Sequence, residues 1–125
     1  MIRYLIDANC LIFALADAAS PVTQRIAASE PGSLAISAIT FAEVALGSQI
    51  GKPPPPEALD ALLAVVPLVP FDEPAARLYA TLPFRRGRFD RLLAAHALSL
   101  GATIVTANVA DFADVRGLAV EDWTR

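Results

Sequence analysis

Short apolar runs alternate along this chain between strand-like and helix-like spacing, with polar residues, glycines and prolines marking each change. Residues 2–6 (Ile-Arg-Tyr-Leu-Ile) form a β-prone run that ends at Asp7. The apolar stretch from Cys10 to Ala19 reads as a helix. Ser20-Pro21 opens another, with serine at the cap and proline in the first position, and Glu30-Pro31-Gly32 ends it after about Ser29. Leu34 to Ser37 predicts a short buried strand, and Thr40 to Ile50 a helix stopped by Gly51. The stretch Gly51-Lys52-Pro53-Pro54-Pro55-Pro56 predicts an extended polyproline connector outside regular structure. Helical spacing returns over Glu57 to Val66. A strand at Leu68 to Phe71 and a helix over Glu73 to Leu82, opening near Pro74, follow. Asp90 to Leu100 is helical and closes on Gly101. Ala102 to Thr106 predicts a fourth strand, Asn108 to Val115 a loop or short helix, and Leu118 to Glu121 a fifth strand.

Strands alternating with helices predict an α/β fold, a mostly parallel sheet of four to five strands covered on both faces. No repeat and no composition break divides the chain, so a single domain over residues 1–125 is expected. Ligands of such sheets bind beyond the carboxyl ends of the strands. Acids gather at that level of the sequence. Asp7 follows the first strand, and Asn108 follows the fourth with Asp111 three residues later. Asp90 begins one helix, and Glu43 falls in the first turn of another. Two like charges 4 Å apart repel by roughly 4 kcal/mol at an effective dielectric of 20. A cluster of them persists only with protonated carboxyls or a neutralising cation. Hard oxygen ligands without Cys or His partners select Mg²⁺ or Mn²⁺. Such ions acidify water and clamp a phosphoryl oxygen, the chemistry of phosphodiester hydrolysis.

Charge distribution sharpens this picture. The net charge of −3 argues against bulk electrostatic binding of nucleic acid, yet residues 85–91 hold four arginines against one aspartate. That local +3 beside an acidic body suggests a polyanion guided by Arg85, Arg86 and Arg88 toward carboxylates. A solvated basic turn is the plainer alternative. Cys10 is the only cysteine, so no internal disulfide forms, which fits a reducing cytoplasm. No apolar run approaches the roughly 20 residues of a membrane span, and no secretory signal is recognisable at the start. A cytoplasmic location without a membrane partner is expected. The 55% hydrophobic content exceeds what a core of this size needs and suggests that a partner covers an apolar face.

Four segments resemble the PIN-domain family, and more narrowly the VapC-type toxins of bacterial toxin–antitoxin pairs. They are Leu5-Ile6-Asp7-Ala8-Asn9, Ile36 to Glu43, Phe89 to Ala97, and Ile104 to Phe112, in the family's order and spacing. The resemblance implies a three-layer α/β/α sandwich and a Mg²⁺- or Mn²⁺-dependent endoribonuclease. It also implies an RNA substrate, a homodimer and inhibition by a small antitoxin. Carried over by position, Asp7 and Asp90 become the principal metal ligands and Glu43 the third acid, with Asn108 or Asp111 completing the site. Two positions depart from the family: Ala8 stands where Thr is usual, and Asn108 where an acid is frequent.

Plainer roles compete at several positions. Thr40-Phe41-Ala42-Glu43 also fits a capping box, and Asp90 a helix-start charge. Asn9 either orients Asp7 or caps the next helix. Asp111 is either a ligand or a solvated loop residue, and Thr106 either bonds a site carboxylate or simply suits a strand. His96, nearly two turns beyond Asp90, is expected to be a packed or surface residue, and Trp123 to pack a strand edge or a dimer partner. A PIN-like binding module without catalysis is the main rival function, favoured only by Asn108. A phosphoacceptor receiver domain would need a lysine at a late strand end, and the only lysine is Lys52.

Overall fold

The computed structural model describes residues 1–83 and 89–125; Arg85, Arg86 and Arg88 lie outside the described residues. Five strands form one sheet: β1 (Tyr4–Ile6), β2 (Leu34–Ser37), β3 (Leu68–Val69), β4 (Thr103–Val105) and β5 (Val120–Glu121). The helices are α1 (Ala8–Ala16), α2 (Pro21–Ala28), α3 (Ala38–Gln49), α4 (Pro56–Leu63), α5 (Glu73–Tyr79) and α6 (Phe89–Leu100). A 3-10 turn spans Val109–Phe112. The strand order is β3-β2-β1-β4-β5 with every pairing parallel, as the alternating pattern predicts.

The central strands are short and buried on both faces, so adjacent residues serve opposite layers. Ile6, Ile36 and Val105 pack with Cys10, Leu11, Val22, Val44 and Leu59 of α1 to α4. Leu5, Ala35 and Ile104 pack instead with Leu93, Ala94 and Ala97 of α6. The result is the three-layer α/β/α sandwich. Three alanines on α6, Ala94, Ala95 and Ala97, are fully buried and let this helix approach the sheet closely. Trp123, 1% exposed, caps the other layer at 5.0 Å from Tyr4, with the Arg25 guanidinium 4.7 Å above its ring. It packs on the strand edge, one of the two places expected for it.

Element ends differ from the sequence reading where a specific group intervenes. β3 stops at Val69 because Pro70 has no N–H to donate. α4 begins at Pro56, the last residue of the proline run, since a proline suits the first turn of a helix. α1 begins at Ala8 rather than Cys10, because Asp7 caps it.

Chain order places the site. β1 is followed by β2 and β3 on one side, and the chain then crosses to β4 on the other. The crevice between β1 and β4 is therefore the topological switch point of the sheet, where such folds open toward a ligand. Ile6 pairs with Val105, and the Asp7 N–H donates to the Val105 carbonyl at 3.0 Å. Asp7 thus emerges at the mouth of that crevice.

His96 is packed, one of the two roles expected of it. It is 1% exposed, with Nδ1 2.7 Å from Ser37 Oγ and its ring edge-on to Phe71 at 5.5 Å. Its other partner is the Pro70 carbonyl, which only a ring N–H satisfies, so the neutral ring accepts the Ser37 hydroxyl proton. Burial holds its proton affinity below the usual histidine value, against the opposing pull of Asp72. The unfolded chain therefore binds a proton that the folded one refuses. The contribution of His96 to stability is complete above about pH 6.5 and is lost as the pH falls. Thermal melts from pH 8 to pH 5 should show Tm falling less steeply for His96→Gln than for wild type. Parallel curves would show that this ring does not drive the acid sensitivity.

Candidate active site

Asp7 carries two duties. It is the N-cap of α1, with extended backbone (φ −76°, ψ 169°), and its Oδ1 accepts the Cys10 N–H at 2.9 Å. This supplies the structural role that the sequence does not reveal, worth about 1 kcal/mol for a cap of this kind. The same carboxylate also meets the Cys10 thiol and lines the cleft at the crevice. Asn9 is exposed beside it and is not the cap. Cys10 lies fully buried beneath, and its thiol is pushed up to about 12 by burial and then by the Asp7 charge. It stays protonated and contributes no thiolate ligand.

Glu43 is not part of a capping box. β2 runs into α3 without a linker: Ser37 is both the last strand residue and the N-cap, its Oγ accepting the Ile39 N–H at 3.1 Å. The helix starts at Ala38, which moves Glu43 from the expected first turn into the second and Thr40 into the fully buried interior. Freed from capping, the Glu43 carboxyl sits half-buried above the switch point. Its proton affinity is raised, chiefly by burial and then by the charges of Asp90 and Asp7. That response joins three acids from three elements in one electrostatic unit.

Asp90 lies in the first turn of α6, as expected. On the β4 side, the Asn108 N–H donates to Thr106 Oγ1 at 3.0 Å and the Asp111 N–H to the Asn108 carbonyl at 3.0 Å. These bonds wind the chain into the 3-10 turn and bring both side chains to the rim. A cleft of about 40 Å³ results, lined by Asp7, Glu43, Asp90, Asn108 and Asp111, with Asn9 and Thr106 between them and Leu93 and Phe112 beneath. All five acid or amide residues singled out in the sequence therefore meet. The basic stretch at Arg85, Arg86 and Arg88 cannot be placed against the cleft, since it lies outside the described residues.

One residue of this neighbourhood escapes a sequence reading. Arg91 is 3% exposed, and its guanidinium bonds Asp114 Oδ1 at 2.6 Å. The pair ties the first turn of α6, next to Asp90, to the segment just beyond Asp111. An arginine following an aspartate in a basic stretch looks like one more solvated charge. Only its partner 23 residues away reveals the brace.

The donor set is all oxygen, which suits a hard divalent cation. Among the described residues no three of the acids close tightly enough to grip a bare ion. Mg²⁺ makes no such demand, because it usually keeps several waters and needs only one or two direct carboxylates. Asp7, Glu43 and Asp90 around 40 Å³ fit an ion held in that way, and a cation would offset both the burial of the Glu43 carboxyl and the repulsion from Asp90 and Asp7.

Residues 4–118 match the family described as PIN domain. The tRNA(fMet)-specific endonuclease VapC of Shigella flexneri is 30% identical over 134 residues, covering 99% of this chain and all of that protein. Ribonuclease VapC1 of Haemophilus influenzae strain R2866 is 27% identical, covering 98% of each. Among solved structures, VapBC2 from Rickettsia felis bound to a promoter DNA fragment superposes with a TM-score of 0.86 at 26% identity, covering 98% of this chain and 99% of that one. VapBC-1 from nontypeable Haemophilus influenzae gives 0.81 at 28% identity over the full length of both chains. Among the described residues, no helix is long and apolar enough to cross a membrane.

Because burial and then the charges of Asp90 and Asp7 disfavour an ionised Glu43, Glu43→Gln should raise the metal-free Tm by about 1–3 °C. Added Mg²⁺ or Mn²⁺ should then raise the Tm of wild type more than that of the variant. Equal metal-induced shifts would remove Glu43 from the ion's surroundings.

Proposed function

We infer, for a chain that belongs to the PIN-domain family, that the acid cleft hydrolyses RNA phosphodiesters with a divalent metal, as the toxin of a type II toxin–antitoxin pair. The observation that carries this reading is the convergence of Asp7, Glu43 and Asp90 on one oxygen-lined cleft at the switch point of the sheet. Relatives that match essentially end to end are named as ribonucleases, and the superposed structures are toxin–antitoxin complexes.

Asp7, Asp90 and Glu43 would hold Mg²⁺ or Mn²⁺. Such an ion supplies acidified water and charge neutralisation at the phosphoryl group. The chain's own residues do the rest. Asp7 lines the cleft from a position fixed by the Cys10 N–H. Glu43, half-buried beside Asp90 and Asp7, would complete the acid set from α3. Asn108 or Asp111 closes the open side of the cleft, where the 3-10 turn holds both. The apolar floor of Leu93 and Phe112 excludes bulk water from beneath. Arg85, Arg86 and Arg88 would contact the phosphate backbone on the approach to Asp90. Under the same reading the protein acts in the cytoplasm, assembles as a homodimer and is silenced by a small antitoxin.

Purified protein free of antitoxin should cleave RNA in Mg²⁺ or Mn²⁺ and stop in EDTA. Asp90→Ala, with an unchanged circular dichroism spectrum, should cut at least about 100-fold more slowly, the scale of several kcal/mol of lost transition-state stabilisation. Equal cutting by the folded variant would show that Asp90 is not a ligand. Binding of RNA without metal-dependent cutting by wild type would favour a PIN-like binding module instead.

A further inference from the structure

The cleft is too small to hold a nucleotide. A strand whose scissile phosphate reaches the acids must therefore lie on the surface on either side. One neighbouring depression continues directly from it. Between α1 and α3 runs a groove of about 240 Å³ that shares Ala8, Asn9 and Glu43 with the cleft. Ile12 and Leu46 give it apolar walls, and its far end is closed by Lys52.

Lys52 is the only lysine of the chain, and among the described residues it makes no ion pair. It is also held in place. Its N–H donates to the Gly47 carbonyl at 2.8 Å, and the Ser48 hydroxyl donates to the Pro54 carbonyl, so the proline run is pinned against the end of α3. The Lys52 Cβ lies 3.8 Å from where a Cβ on Gly47 would stand. Gly47 follows Glu43 by four residues on the same helix, a rise of about 6 Å. A fully stacked strand advances about 3.4 Å per phosphate along its axis and a more extended one further, so this rise is on the scale of one to two nucleotides.

We propose that the α1–α3 groove is the subsite for the RNA nucleotides flanking the scissile bond, with Lys52 contacting a phosphate one or two positions away from the acids. This rests on the nuclease reading above. Two features favour RNA here over a polypeptide. The groove opens from the acid cleft itself, and its closing charge is positive in a chain whose net charge is −3. The apolar walls accept a base, whose faces stack or pack without needing hydrogen bonds. Lys52 acts on binding, since the reacting phosphate sits at the other end of the groove.

The test is steady-state cleavage of a short mixed-sequence single-stranded RNA in Mg²⁺, repeated across a series of salt concentrations. Lys52→Gln should raise KM about fivefold with kcat unchanged, and Lys52→Arg should restore it. The slope of log(kcat/KM) against log salt should become shallower by about 0.7, the loss of one single-strand phosphate contact. Leu46→Glu, at an exposed groove wall, should raise KM in the same way while leaving the fold intact. Wild-type cleavage with KM and salt slope unchanged in both variants would overturn the groove and leave the nuclease standing. No metal-dependent cleavage by wild type would overturn the nuclease reading and the groove with it. Unchanged RNA kinetics with weakened binding of a co-purified antitoxin would identify the groove as a protein surface and overturn its assignment to RNA.

Discussion

Repulsion among Asp7, Glu43 and Asp90 is the term against which the rest of this structure is arranged. Three carboxyls drawn from β1's end, α3 and α6 share one cleft, and at Glu43 burial first and then the charges of Asp90 and Asp7 raise the hold on a proton. Two of the three stand where helix geometry favours negative charge, Asp7 at the N-cap of α1 and Asp90 in the first turn of α6. Backbone N–H groups thus offset part of the cost, and a cation would offset more. The apolar layers on both sides of the sheet must stabilise what remains. This explains why the surroundings are so heavily fastened: Thr106 holds the 3-10 turn, and Arg91 holds the segment after it.

The hydrophobic pattern carried the architecture because each short strand is buried on both faces and each helix on one. Parallel pairing followed from strand and helix alternation alone. Where the reading slipped around the site, the reason was a polar side chain competing for a backbone amide. Ser37 looked like the end of a strand and Thr40 like a cap, yet Ser37 takes both parts and the helix begins earlier. The cap role of Asp7 was hidden because α1 was expected to start at Cys10.

The site was legible to a different depth at each residue. Asp7, Asp90 and Asn108 sit at element ends, where a one-dimensional pattern is informative. Glu43 was ambiguous because four residues in a row fit both a cap and a site. Arg91 and Lys52 were opaque for another reason. The meaning of each depends on contacts made only after folding, an aspartate on a distant turn for one and the end of α3 for the other. Local sequence says that such residues are charged, and nothing about what they face.

The direct passage of β2 into α3 has a consequence for how this chain can vary. With no loop between them, strand register and helix phase are geared together through Ser37, which is also bonded to His96 on the opposite layer. One inserted or deleted residue between Leu34 and Glu43 would turn the Glu43 side chain by about 100° around α3 and carry it out of the crevice. The proline run after Gly51 has no such gearing to the acids. Length changes among descendants of this sequence should therefore collect there and spare the ten residues that lead to Glu43.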